Sequence, residues 1–351
     1  MRMSGQFERV NEIVAEALEL PPAAWDAFLA SRCGEDGDAR AAAERLLGVS
    51  DSLDGFLDMP ESEIQPGDVL GGRFRVLAEL GIGAAGTTYA AEDAQLGEVA
   101  LKVPHPEIAL ERFAAEVRHA RAVRHPNVCP VFDLFTFEHK GRQVTAATMR
   151  CLRGETLACR LARGAMTPAE ALPIARGIAQ GIDALHAEGI VHCDLKPENI
   201  MLTRGPDGAT APVIMDFGLA CLPSAGCAEI AGSPDYMAPE RFRSGPATAA
   251  SDIYAFGMML FEMIAGVRPF PPEDLLSSVV RRVTEDAPPL SHVIRATPRA
   301  YAEAVARTLS RDASRRPRSA GQVIAEIEQA SAGAPRVAHG CAHGRFNRQA
   351  G

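Results

Sequence analysis

No stretch of this chain is long and apolar enough to cross a bilayer. The longest apolar run, Tyr254 to Gly266, is too short and carries Glu262, so it reads as a buried helix. The N-terminus, Met1-Arg2-Met3-Ser4-Gly5, lacks the apolar core and cleavage site of a secretory signal and leads into an amphipathic acidic segment. Positive charge is not in excess either. A formal net charge of −9 and an isoelectric point near 5.6 give no electrostatic case for nucleic acid or an anionic membrane as the main partner. The eight cysteines form no paired framework, and in a chain of 351 residues they read as reduced thiols of a cytoplasmic protein. His339, Cys341 and His343 lack a fourth ligand and the spacing of a zinc site, so residues 331–351 read as a flexible tail.

What is present is apolar mass. A 47% hydrophobic content is ample for two lobes and an appendage. Residues 1–58 read as short helices: Phe7, Val10, Ile13, Val14 and Leu18 recur at helical spacing until Pro21-Pro22, and a second stripe carries Trp25, Phe28 and Leu29 before Gly34. A third runs from about Asp38, as N-cap, through Leu46 and Leu47 to Gly48. Residues 59–67 are acidic and punctuated by Pro and Gly, as in a linker. From Asp68 the pattern is strand, glycine turn, strand, strand, then helix over 107–123, and beyond Leu157 it is mainly helical. The expected class is α+β, with a β-rich lobe over 68–152 and a helical lobe over 153–330.

The tract His192-Cys193-Asp194-Leu195-Lys196-Pro197-Glu198-Asn199 is followed by Asp216-Phe217-Gly218 at the distance a short β-hairpin would span. Upstream lie Gly81-Ile82-Gly83-Ala84-Ala85-Gly86 and Val99-Ala100-Leu101-Lys102; downstream lies Ala238-Pro239-Glu240. A glycine pattern alone equally suits a dinucleotide fold or an ordinary hairpin. Here Lys102 stands on the next strand with no crossover helix between. The five matches in order resemble the protein kinases, and from Asp68 to Ile327 the chain resembles the eukaryotic-like serine/threonine kinases of bacteria.

The resemblance implies a two-lobed kinase-like fold preceded by a short helical extension, with ATP bound between the lobes. Phosphoryl transfer needs positioning and charge neutralisation more than covalent help. Asp194 would orient the substrate hydroxyl and accept its proton, Lys196 would neutralise the transferring group, and Asn199 and Asp216 would hold Mg²⁺ or Mn²⁺. Lys102, aimed by Glu116, would hold the α- and β-phosphates. The nucleotide would also meet Leu80, Gly81, Ile82, Gly83, Gly86, Thr88 and Ala100, with Met149 at the back of the adenine pocket and the backbone of Arg150 and Leu152 as hinge. Asp252 would brace the catalytic loop, Arg316 would pair with Glu240, and Ser233 would stand near the base. The implied partners are proteins bearing serine or threonine, with a regulatory partner for the N-terminal helices.

The chain departs from the family pattern at named positions. Thr88 stands where a valine usually covers adenine, Ala85 occupies the loop tip, and Arg150 replaces a common hinge glutamate. Cys193 replaces the arginine that in many kinases receives an activation-loop phosphate. Two other readings follow: a catalytically impaired kinase-fold scaffold, suggested by Cys193, Thr88 and Ala85, and a small-molecule kinase, against which Ala238-Pro239-Glu240 argues.

Overall fold

The computed structural model describes residues 64–216 and 234–333, less a few short loop gaps, and scattered positions of 13–47. The described part of the leader contains helix α1 (Trp25–Cys33). Ile13, Ala17, Leu29, Cys33, Ala43 and Leu47 bury one another, with Trp25 and Phe28 packed on their edge. Ala39 N–H donates to Asp36 Oδ1 at 3.0 Å, the i to i+3 reach of an N-cap, and the expected cap Asp38 lies outside the described residues.

The first lobe is one antiparallel sheet of six strands: β1 (Val69–Leu70), β2 (Phe74–Gly83), β3 (Gly86–Asp93), β4 (Gly97–Pro104), β5 (Val131–His139) and β6 (Arg142–Arg150). Their order is β1-β2-β3-β4-β6-β5. Helix α2 (Leu110–Ala120) lies between β4 and β5 and is shorter at both ends than the expected 107–123. The lobe's core is small, built on Leu70, Phe74, Val76, Tyr89, Val99 and Leu101. Ile64 packs in the same cluster, so the end of the expected linker already belongs to this lobe.

Next come β7 (Glu155–Thr156), α3 (Leu157–Leu161), α4 (Pro168–Ala187), the hairpin β8 (Ile200–Arg204) and β9 (Thr210–Ile214), then α5 (Ala249–Ala265), α6 (Leu275–Thr284), α7 (Leu290–Val293), α8 (Arg299–Thr308) and α9 (Ala320–Gly333). Thr167 and Glu170 start α4 with a capping box, the hydroxyl accepting from Glu170 N–H at 3.3 Å and the carboxylate from Thr167 N–H at 2.8 Å. Apolar residues occupy nearly every turn of α5, and Ile253, Phe256, Met258, Met259, Leu260 and Met263 are buried. Each contributes on the order of 2 kcal/mol by leaving water. Gly257 lets α5 meet α8 closely, since a Cβ there would stand 2.1 Å from Thr308 Oγ1. Among the described residues no helix is long and apolar enough to cross a membrane.

Candidate active site

Strand alternation gathers the expected nucleotide residues on one face of the sheet. Thr88 lies opposite Lys102, Lys102 opposite Ala147, and Ala100 opposite Met149. Directly paired residues in antiparallel strands project to the same side, so these side chains share a face with Gly81, which pairs with Thr88. Leu80 and Ile82 stand 54% and 47% exposed on the glycine strand.

The three glycines of that strand and turn have different physical reasons. At Gly81 a Cβ would meet nothing, and at Gly83 it would make an ordinary 3.5 Å contact with Asp216 Oδ2. Gly86 has φ +149°, and a Cβ there would fall 2.1 Å from the Val103 carbonyl, so close packing on β4 requires it. His105, just after β4, lies with Nε2 2.8 Å from Gly83 O and ties the turn to the end of that strand. Nothing in the sequence pattern singles out His105.

Lys102 is buried, its side chain 6% exposed, and its ammonium forms an ion pair with Asp216. The expected partner Glu116 lines the same narrow cavity, together with Phe113, Val117, Ala147 and Met149. The ion pair thus runs from β4 to the second residue past the β8–β9 hairpin. A buried ammonium takes the carboxylate presented to it, and Asp216 presents its own from a left-handed backbone, φ +59°.

Below that pair the catalytic-loop residues converge. Asp194 Oδ2 lies 2.9 Å from Lys196 Nζ and accepts from Asn199 Nδ2 at 3.1 Å, while the same amide nitrogen donates to Asp194 O at 2.8 Å. The Asn199 nitrogen is thus committed to Asp194, which leaves its oxygen as the atom suited to a cation. Met215 N–H donates to Asn199 O at 2.8 Å and so joins the two loops at the foot of the hairpin. Asp194 N–H donates to His192 Nδ1 at 3.3 Å, which fixes the tautomer in which Nε2 donates to Met215 O at 3.0 Å.

Asp252, buried near the start of α5, accepts His192 N–H at 2.8 Å and Cys193 N–H at 3.1 Å, and His186 Nε2 lies 2.8 Å from its Oδ2. These bonds hold Cys193 at φ +69°, a conformation costly for a residue with a side chain. His186 reads from sequence as one more polar residue near a helix end. Arg316 meets Glu240 through two parallel bonds of 2.7 Å, donates also to Ala250 O and Ser310 O at 2.8 Å each, and stacks 4.9 Å from the Tyr254 ring centre.

At the hinge, Arg150 N–H donates to Pro130 O at 3.0 Å and Arg150 O accepts the Cys129 thiol at 3.7 Å. Burial pushes the Cys129 thiol up to about 12, and burial with Glu98 alongside pushes Cys151 up to about 11, so neither is a thiolate at neutral pH. A cavity of about 610 Å³ lies behind the hinge among Arg121, Arg124, His125, Phe132 and Arg150. It holds none of the residues that gather around Asp194 and Asp216, so the chemistry is not sited there. Ser233, Phe217 and Gly218 lie outside the described residues, as do Ser224, Cys221, Cys227 and the histidine-bearing tail.

Hard oxygens dominate the cleft: the Asp194 and Asp216 carboxylates and the Asn199 amide. Among the described residues no cluster of three or more His, Cys, Asp or Glu side chains could hold a metal ion. This donor set fits Mg²⁺, which is commonly bound by one or two carboxylates with substrate phosphates and water completing its shell.

Comparison with known proteins agrees with this geometry. The protein kinase domain model matches residues 74–326. Serine/threonine-protein kinase pkn2 of Myxococcus xanthus is 35% identical over 275 residues, 73% of this chain and 32% of that protein. DNA damage-responsive serine/threonine-protein kinase RqkA of Deinococcus radiodurans is 37% identical over 276 residues, 75% of this chain and 40% of that protein. Serine/threonine-protein kinase PkaB of Streptomyces coelicolor is 35% identical over 235 residues, 63% of this chain and 55% of that protein. The chain thus spans about a third to a half of the length of these relatives. The extent of the domain match, joined to a sheet lobe and a helical lobe that meet at Lys102 and Asp216, makes the chain a member of the protein kinase family, in its bacterial eukaryotic-like serine/threonine branch.

Proposed function

We propose that the chain transfers the γ-phosphoryl group of Mg·ATP to serine or threonine hydroxyls of proteins, in the cytoplasm. The observation that carries this reading is the knot of Asp194, Lys196 and Asn199, anchored from below by Asp252. In it a carboxylate positioned as base is held beside a cation that neutralises the transferring group. Lys102 would clamp the α- and β-phosphates with Glu116 lining the same cavity, and adenine would lie between Ala100 and Met149 with Arg150 O and Leu152 N–H as its polar partners. Gly81, Gly83 and Gly86 would shape the loop over the phosphates, with Leu80, Ile82 and Thr88 around the base and sugar. Asn199 and Asp216 would hold the divalent cation, which when bound neutralises phosphate charge and fixes the γ-phosphoryl group. The bidentate pair of Glu240 and Arg316 would shape the protein-substrate side, with Ser233 near the base.

Incubation with γ-labelled ATP and a generic basic protein, followed by phosphoamino-acid analysis, tests the proposal. Labelled serine or threonine is expected. Transfer confined to small molecules, mainly phosphotyrosine, or no transfer at all overturns it.

The catalytic unit extends to about residue 330, and residues 1–58 would serve regulation through the kinase or a partner, because none of them matches a phosphate-handling role. A chain starting near Glu63 should keep Mg·ATP binding and basal transfer. If that shortened chain folds and fails to bind Mg·ATP, the leader belongs to the catalytic core.

A further inference from the structure

Arg282 on α6 is fully buried, and among the described residues no carboxylate forms an ion pair with it. Its guanidinium is spent on backbone instead. Nη1 donates to Pro234 O and to Met237 O, the latter at 3.1 Å, and Nε donates to Ser278 O at 3.2 Å. Nη2 reaches Ser278 Oγ at 3.4 Å, and the group stands 5.3 Å from the centre of the Phe242 ring. Burial lowers its pKa to about 10, which still leaves it charged at neutral pH. Asp235 acts on it electrostatically without pairing directly, since that carboxylate is bonded to Arg268; an arginine buried with no direct ion pair is costly where a methionine of similar volume would fill the space.

The strip of backbone it holds borders the catalytic loop. Tyr236, between the two anchored carbonyls, donates its hydroxyl to Glu262 on α5. Glu198, beside Asn199, is near enough to act electrostatically on both Tyr236 and Glu262. Asp235 is pinned by an ion pair with Arg268. The strip then runs directly into Ala238-Pro239-Glu240, whose glutamate is held by Arg316.

We propose that Arg282 is a positioning residue for the protein substrate: by fixing the Pro234 and Met237 carbonyls it sets the backbone platform on which a serine or threonine peptide docks beside Asp194. This role rests on the transfer activity proposed above, and it leaves the nucleotide side untouched.

The test compares the full chain with Arg282→Met and Arg282→Lys, using myelin basic protein as the probe substrate and substrate-free ATP hydrolysis as the control. Arg282→Met should raise the KM for the protein substrate on the order of 10-fold, through loss of charge-assisted bonds, and leave the KM for ATP and the hydrolysis rate within about two-fold. Arg282→Lys keeps the charge without the fork and should fall between. An unchanged protein-substrate KM, or a parallel fall in hydrolysis and transfer, overturns the proposal. Should Arg282→Met not fold, hydrogen exchange on Arg282→Lys decides: faster exchange at residues 235–241 with unchanged exchange at 192–199 is expected, and a uniform rise overturns it. The exchange measurement reads the platform without catalysis. A wild-type chain that transfers no phosphate would therefore count against the transfer reading and be distinguishable from failure of this role.

Discussion

The sheet lobe and the helical lobe treat charge differently. In the sheet lobe the ion pairs are mostly at the surface, such as Arg75 with Glu92 and Arg121 with Asp133, and Lys102 is the charge carried deep into the cleft. In the helical lobe Asp252, Arg282 and Arg316 are all buried, each spending most of its hydrogen bonds on backbone atoms. The difference teaches where rigidity is needed. The loop proposed to present a base and a peptide platform is fixed by desolvated polar groups, whereas the sheet proposed to cover a nucleotide keeps a small core and an exposed glycine strand.

The largest expected effect lies where the lobes meet. Asp194→Asn should lower turnover about 10²–10⁴-fold with little change in thermal unfolding, because it removes the proposed proton acceptor and leaves the surrounding loop anchored by Asp252. Lys102→Met should cost a similar factor, expressed also in the KM for ATP. Near-wild-type transfer by either folded variant would break the assignment of roles.

Next comes stability in the helical lobe. Arg316→Met strands Glu240 beside a side chain that in the native fold is wholly buried, and should cost on the order of 3 kcal/mol in denaturant unfolding. Arg316→Lys should recover little, since an ammonium cannot reproduce the two parallel bonds. If both variants unfold like wild type, the buried pair is not what stiffens this lobe.

A smaller effect is expected in the sheet lobe. Arg73, bonded to Asp93 at 2.9 and 2.6 Å, holds that carboxyl below the usual carboxylate range. The unfolded chain regains the ordinary value of about 4, so the pair's stabilisation is complete above that pH and is lost as pH falls through the lower folded value. The melting temperature of wild type should accordingly fall more steeply than that of Asp93→Asn between about pH 5 and pH 2. Parallel curves would remove the pair from the stability of this lobe.

The smallest effect belongs to Ser224. With cysteine at position 193 in place of an arginine, a phosphate on Ser224 lacks its expected receptor, and Ser224→Ala should leave activity within about two-fold. Loss of activity in proportion to lost phosphate would contradict this.

Much of the site was legible because its chemistry is local in sequence. The tract from His192 to Asn199, the hairpin spacing and Asp216 are fixed by short-range connectivity, and β8 and β9 span that gap in register from Ile200 with Ile214 to Arg204 with Thr210. The buried helix at Ala249–Ala265 was legible for a similar reason, since a continuous apolar run has no solvated face. What escaped depends on distant partners. Arg282 and Arg281 are neighbours in an amphipathic helix, and only the fold of residues 234–237 makes the first buried while the second pairs with Glu285 at 3.2 Å. The reason for Gly86 lies in Val103 of the adjoining strand, and the reason for His186 in a carboxylate 66 positions away.

Asp216 has a consequence for how this chain can change over generations. Its left-handed backbone is one that glycine adopts freely, so Asp216→Gly would relieve conformational strain and at the same time remove the carboxylate that meets Lys102. Selection for a more robust fold and selection for the proposed phosphoryl transfer would therefore pull this one codon in opposite directions. A library screened for thermal tolerance alone should drift toward glycine at 216 and accumulate well-folded, silent descendants of the enzyme.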